Sequence, residues 1–372
     1  MQGVAISWLI FRLTQSEVVL GLYGFAAELP GLVVVLLAGV LADRFNPRRI
    51  LLITQTLAML QAFLLGVLVH GNHIHVSAIF AVGCFLGFVN GFDVPARQVL
   101  LSRLVGNPSD TRSAVALYSL TLDAARIVGP ALAGSVIAAW GESACFLING
   151  LSYVVVICAL LALRIRPPQN LPSKSAVLHS LWQGMRYVAH KRVLCAIILL
   201  VAWVSFAASS VVVTMPFMAA NALNGGPLTL GLLWAATGIG AIVGATLFFG
   251  IRYEGSRLPQ LMGGGAALYG LGIIGFSQSA SLVLSVFALA AAGLGIMIMM
   301  GTGNTILLSD ADEDKRGRVM SLFTLSFMGT VPLGSFGAGF LARSFGAPAT
   351  LALAGSACLF GAAIFGMSVR RQ

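Results

Sequence analysis

Charge is scarce in this chain, and most of it sits at the ends of long apolar runs. Only 9% of the 372 residues are Asp, Glu, Lys or Arg, against 58% hydrophobic residues. Mean hydropathy is +0.94. A helix needs about 20 apolar residues to cross the hydrocarbon of a bilayer. Runs of that length, separated by short polar gaps, recur along the whole sequence. The chain therefore reads as an all-α, multi-pass membrane protein. No stretch is long and polar enough to form a separate soluble domain. The pI near 10 does not indicate a nucleic-acid partner, because the basic residues are scattered at helix ends. Cys84, Cys145, Cys158, Cys195 and Cys358 lie in or beside apolar runs with no C-x-x-C pair. They read as small buried hydrophobes, neither ligands nor disulfides.

The apolar pattern predicts spans over Met1–Leu13, Val18–Ala42, Ile50–Val69, Ile74–Leu104, Arg112–Trp140 and Ala144–Leu163, and then over Val193–Asn221, Leu228–Ile251, Leu258–Ser277, Leu282–Ser309, Arg316–Arg343 and Ala347–Val369. Between the two sets lies the polar stretch Arg164–Arg192. It opens Arg-Ile-Arg-Pro-Pro and then alternates Val177, Leu181, Tyr187 and Val188 with His179, Arg186 and His190, as an interfacial amphipathic helix does. Trp182 and Tyr187 read as its interfacial anchors. The expected organisation is a bundle over 1–163, a linker over 164–192 and a second bundle over 193–372. The first span is anomalous, since it rises only about 20 Å. The expectation is that a piece preceding it completes the span; a genuine half-helix is the alternative.

The two sets repeat. Tyr118-Ser-Leu, Gly129, Gly134 and Trp140-Gly141 match Phe323-Thr-Leu, Gly334, Gly339 and Phe345-Gly346 at one constant offset, and Leu20-Gly-Leu matches Leu230-Gly-Leu. A weak repeat of six spans is the mark of a transporter built from two pseudo-symmetric bundles. Of the 22 Lys and Arg residues, Arg12 and Arg343 fall on one face, and Arg97 and Arg126 fall within the membrane. The rest fall in connections on the other face and at the C-terminus, which makes that face cytoplasmic.

Charge inside the membrane is costly and marks function. Glu28, Asp93, Arg97, Asp123 and Arg126 lie inside apolar runs of the first half, whereas Val193–Ile251 contains no Asp, Glu, Lys, Arg or His. Asp123 and Arg126 are neighbours on one helix face, at a depth similar to Glu28, near mid-membrane. Burial disfavours the charged form of a carboxylate, so Glu28 and Asp123 suit proton coupling. The alternatives are a neutral, hydrogen-bonded Glu28 at the Pro30 kink and a structural pair at Asp123–Arg126. Asp93 and Arg97 fall near the cytoplasmic end, where a gate and a structural ion pair are both open. The second half offers an apolar wall: Trp203, Phe206, Met215, Phe217 and Trp234. His70, His73 and His75 read as an ordinary polar loop, and no metal or other cofactor is expected. No G-x-S-x-G, H-E-x-x-H or G-x-x-x-x-G-K-[ST] motif occurs, so no enzyme is expected.

Between the second and third spans the chain reads Gly39-Val-Leu-Ala-Asp43-Arg44-Phe-Asn-Pro-Arg48-Arg49. This resembles the G-x-x-x-D-R-x-G-R-R loop of the major facilitator superfamily, with Asn46 and Pro47 departing from the pattern. An ordinary positive-inside loop would explain the arginines but not the placement of Asp43. Asp43 could meet the N-terminus of the helix beginning near Arg316–Val319, where the helix dipole favours an anion. Asp43, Arg44, Arg48 and Arg49, with Asp93 and Arg97, are thus the candidate cytoplasmic gate. The stretch Gly129-Pro130-Ala-Leu-Ala-Gly134 is similar to the antiporter motif of facilitator exporters, with Gly39, Gly129, Pro130 and Gly134 as helix-packing positions. With Asn90-Gly-Phe-Asp93-Val-Pro95-Ala-Arg97-Gln98 and Gln2–Thr14, it looks like the branch of enterobactin exporters and macrolide-efflux proteins, whose chains begin about two dozen residues earlier. The resemblance implies a twelve-helix major facilitator fold with the first helix cut short. It also implies a monomer in the bacterial inner membrane that exports an amphipathic small molecule, a siderophore or drug, against inward proton flow. A lipid or lysophospholipid flippase of the same fold is the alternative.

Overall fold

The computed structural model describes residues 1–42, 46–104, 108–163, 177–250 and 257–370. Among them the regular structure is all helical. In the first half α1 is Gln2–Thr14, α2 Glu17–Ala42, α3 Pro47–His70, α4 Val76–Leu104 and α5 Pro108–Ala162. The connecting helix α6 is Val177–His190. In the second half α7 is Arg192–Phe217, α8 Pro227–Gly250, α9 Leu258–Ser277, α10 Leu282–Asp310, α11 Arg316–Met328 and α12 Val331–Arg370. Among the described residues, eight helical stretches are long and apolar enough to cross a membrane.

Two of those stretches cross twice. Helix α5 turns back at Gly141 (φ 79°, ψ 175°) and α12 at Gly346 (φ 82°, ψ 162°). That backbone region is open essentially to glycine alone. The reversal in α5 is visible in its partners. Glu142 pairs at 2.8 Å with Arg12 at the end of α1, while the Leu160 and Leu161 carbonyls accept from Arg48 at the start of α3. Gly141 and Gly346 are the repeat partners read in the sequence, so the repeat extends to a shared backbone turn.

The predicted span Arg316–Arg343 is not continuous. Helix α11 ends at Met328, and α12 starts at Val331 after a turn at Gly329 and Thr330. Pro332 supplies the reason: it has no N–H for the Met328 carbonyl, and its ring clashes with that carbonyl in a continuous helix. Pro216 has a related effect in α7, which passes into a π-helical turn over Met218–Ala222.

The two halves touch where four glycines let backbones meet. A Cβ on Gly21 of α2 would lie 2.6 Å from the Ser335 carbonyl oxygen and 2.8 Å from the Gly339 Cα of α12. A Cβ on Gly231 of α8 would lie 2.7 Å from the Pro130 carbonyl oxygen and 2.9 Å from the Gly134 Cα of α5. These crossings are images of each other. The repeat that relates Gly134 to Gly339 also relates Pro130 to Ser335, and the one that relates Gly21 to Gly231 also relates Glu17 to Pro227. The reverse contacts agree: Gly339 faces the Glu17 carbonyl, and Gly134 faces the Pro227 carbonyl. Both crossings lie at the end carrying the α1–α2 and α7–α8 connections, where Phe11 also meets Phe217 edge-on at 4.9 Å. This is the sealed end, and the end bearing the linker is the basic end.

Leucine at Gly231 would force the α5–α8 crossing apart, because overpacking against backbone costs about 1–3 kcal/mol. Spin labels at Ala139 and Gly226 should report a longer distance in Gly231→Leu than in the parent, and the equivalent Gly21→Leu should loosen the α2–α12 crossing similarly. Unchanged distances in both would show that the crossings do not hold the halves together.

Candidate substrate and proton site

Below each crossing, the helix face that makes the seal continues into charge. On α2, Gly21 and Gly24 face Ser335 of α12, and Glu28 follows on the same face at i+7 from Gly21. Glu28 is exposed, and among the described residues it makes no hydrogen bond or ion pair. On α5, Gly134 and the Pro130 carbonyl face α8. Arg126 lies on that stripe at i−8 from Gly134 and is exposed. The Asp123 backbone belongs to the same helix and stripe, while its side chain lies outside the described residues. From the helical rise, Glu28 lies about 10 Å and Arg126 about 12 Å inward of its crossing. Both therefore occupy comparable depths on the faces that the first half turns towards the second.

The second half has no charge at the equivalent positions. Glu28 corresponds to Gly238, whose added Cβ would lie 2.8 Å from Ile127 Cγ1 and 3.2 Å from the Arg126 carbonyl oxygen. Gly238 thus packs directly onto α5. On the α12 side the helix is interrupted at Gly329–Thr330, and α12 begins only at Val331. Arg126 and Asp123 correspond to Val331 and Met328.

Asp93 has a different environment. It is buried, and its Oδ1 accepts from Thr54 Oγ1 at 2.8 Å and from Gln55 Nε2 at 2.6 Å, while its Oδ2 pairs with Arg97 one turn on. Every one of these partners is on α3 or α4, so the cluster ties two helices of one half. Arg48 likewise binds within that half, donating to the last carbonyls of α5. Arg49 is exposed. Asp43, Arg44 and the surroundings of Gly39 lie outside the described residues. In the glycine motif, Gly134 is at a crossing, whereas a Cβ on Gly129 would meet only the Met1 nitrogen, at 3.6 Å.

The aromatic wall divides. Met215 and Phe217 are fully packed in the core, and Phe217 lies against Phe11. Trp203 is partly exposed and donates its Nε1–H to the Ala357 carbonyl of α12 at 2.7 Å. Phe206 is exposed, and Trp234 is half-buried. Sequence reasoning missed the donors Thr54 and Gln55. It also missed a polar chain in the first half, in which Asn149 donates to Gln2 and Gln2 donates to Gln61, each at 2.9 Å. Thr54, Gln55 and Gln61 on one apolar helix were the available signal, since buried amides and hydroxyls need partners.

These features define a major facilitator transporter: pseudo-symmetric helical bundles, joined by small-residue crossings, with charge on the faces between them. The chain belongs to the transmembrane secretion effector family of that superfamily, whose model it matches over residues 1–371. It is 24% identical to a staphyloferrin A transporter of Staphylococcus aureus, over 95% of this chain and 88% of that protein. It is 28% identical to the multidrug efflux pump Tap of Mycolicibacterium fortuitum, over 93% and 86%, and 27% identical to the enterobactin exporter EntS of Citrobacter koseri, over 90% and 81%. Among solved structures, a bacterial homologue of the human lysosomal transporter Spinster superposes with a TM-score of 0.72 at 14% identity, covering 99% of this chain and 94% of that one.

Replacing Asp93 with Asn puts an amide where Thr54, Gln55 and Arg97 all donate. Losing an acceptor for buried donors costs about 1–3 kcal/mol. Asp93→Asn should unfold at lower temperature in detergent than the parent, with Thr54→Val losing less. Parent-like melting of Asp93→Asn would remove the structural role assigned to the cluster.

Proposed function

We propose that this transporter exports an amphipathic small molecule, a siderophore or drug-like compound, from the cytoplasm in exchange for protons. The observation that carries the reading is the placement of Glu28 and Arg126 at matching depths on the two seal-forming faces. Asp123 falls on the Arg126 stripe, and the opposing half is apolar. In this reading the cargo uses the same charged groups that take up the proton, so proton and cargo compete for one site. Such competition drives export only if the affinities differ between the two orientations of the carrier. The relatives named for siderophore export and drug efflux support the same class of cargo. In this reading the chain works as a monomer in the bacterial inner membrane, with bundles over 1–163 and 193–372 joined by the linker 164–192. The basic end, including the C-terminus, is cytoplasmic by the charge bias, and the sealed end faces outward. Asp43, Arg44 and Arg49 form the region that closes on the cytoplasmic side, braced within the first half by the Arg48 and Asp93–Arg97 contacts.

Two measurements test this. In proteoliposomes under an imposed pH gradient, the Glu28→Gln, Asp123→Asn double variant should lose uphill accumulation while still binding cargo, and Arg126→Ala should lose both. Uphill transport by the double variant would place coupling elsewhere. Sidedness is independent of cargo. In a background lacking native cysteines, Asn224→Cys should react with an impermeant maleimide from outside intact cells and Ser173→Cys should not. Labelling of Ser173→Cys from outside would invert the topology.

A further inference from the structure

We propose that the cleft between the linker helix α6 and the start of α11 binds the phosphate of an anionic phospholipid from the adjacent leaflet. The cleft has a volume of about 520 Å³ and is lined by Trp182, Gln183, Arg186, Tyr187, His190, Lys191, Lys315 and Arg318. Four of these residues are cations and none is a carboxylate.

The neighbouring acids pair with lysines of the cleft rim and with Arg316, and not with the two arginines that line the cleft. Lys191 pairs with Asp312 at 3.0 Å, Lys315 with Asp314 at 2.6 Å and Arg316 with Glu313 at 3.6 Å. Asp310 is held by Ser309, and its carbonyl accepts from Lys191. Asp312 is thoroughly engaged. Hydrogen bonding to Lys191 and then to Tyr187 holds its carboxyl below the ordinary range, and its N–H donates to the Tyr187 hydroxyl at 3.1 Å. Arg186 and Arg318 are left without an ion pair among the described residues. The Arg186 guanidinium lies 5.8 Å from the Trp182 ring centroid, a contact that leaves its N–H groups free for an anion. Arg318 reaches the cleft because Gly184 brings α6 close: a Cβ there would lie 3.2 Å from the Arg318 Cβ. Two unpaired guanidinium groups, one from each wall, suit a phosphate, whose oxygens they can grip bidentately.

The membrane supplies that phosphate. Helix α6 has 14 residues, about 21 Å, too short to cross. It is amphipathic, with Val188 buried against the protein and with Trp182 and Met185 exposed at 55% and 50%. A helix with an outward Trp beside basic residues lies at headgroup level. Basic pockets at that level on the cytoplasmic side collect anionic headgroups. The lipid would thereby bridge the connection between the halves to the helix that opens the second half's central segment. This site is separate from the cargo faces, so its test does not depend on the transport reading.

The experiment uses the full chain purified in a neutral detergent. Phosphatidylglycerol, phosphatidylcholine or inorganic phosphate is added, and melting temperature and lipid retention by native mass spectrometry are read. Phosphatidylglycerol should raise the melting temperature and remain bound, while the other two should do neither. Arg186→Gln with Arg318→Gln should weaken phosphatidylglycerol retention by roughly tenfold, and the paired Lys substitutions should keep most of it, which separates loss of charge from loss of fold. Equal stabilisation by phosphatidylcholine would overturn the anionic site. Equal stabilisation by inorganic phosphate would reassign the cleft to a free phosphate compound and overturn the lipid. Parent-like retention in the Gln pair would dismiss both arginines as ligands.

Discussion

The absence of four side chains organises this protein. Where Gly21 meets Gly339 and Gly134 meets Gly231, backbones approach to distances that any Cβ would block. Apolar residues gain little from meeting each other when lipid is equally apolar, so association in a membrane rests on close packing. The crossings provide it at one end. They fix which faces of α2, α5, α8 and α12 turn towards each other, and so which residues lie between the halves. Glu28 and Arg126 occupy that space because they continue the stripes that the glycines begin.

Several polar groups of the first half are paired instead. Hydrocarbon offers no hydrogen bonds, so their partners come from inside the protein. Asp93 finds three, on α3 and α4. Gln2, Gln61 and Asn149 connect α1, α3 and α5, and Glu142 is joined by Arg12. These groups hold one half together. Against that background, an exposed Glu28 without a hydrogen bond among the described residues stands apart, which is why it carries the proposed coupling role.

Much of the fold was legible in the sequence because hydrophobic length and the repeat are local signals. The spans, the amphipathic linker helix and the equivalence of Gly141 with Gly346 all came from them. The break between α11 and α12 was also written locally, in Gly329 and Pro332, but the surrounding apolar run concealed it. What stayed hidden was long-range. Nothing near Asp93 announces Thr54 and Gln55, and hydrophobicity alone does not separate an exposed Phe206 from a core Met215. Gly21 was visible as part of a repeat, but its role appeared only once α12 lay across it. The Asp43 loop and the Asp123 side chain lie outside the described residues, so the sequence remains the ground for their proposed roles.

The reversals at Gly141 and Gly346 have a mechanical consequence. Each joins two membrane-crossing segments through one residue, with no loop between them. Such a joint has no slack: neither segment can slide along its neighbour by a helical turn without breaking the connection. The crossing helices of the two halves are therefore each yoked to a partner strut. Movement that opens the sealed end has to carry strut and crossing helix together, as a lever turning about its fulcrum, and the matching turn in each half gives both levers the same arm.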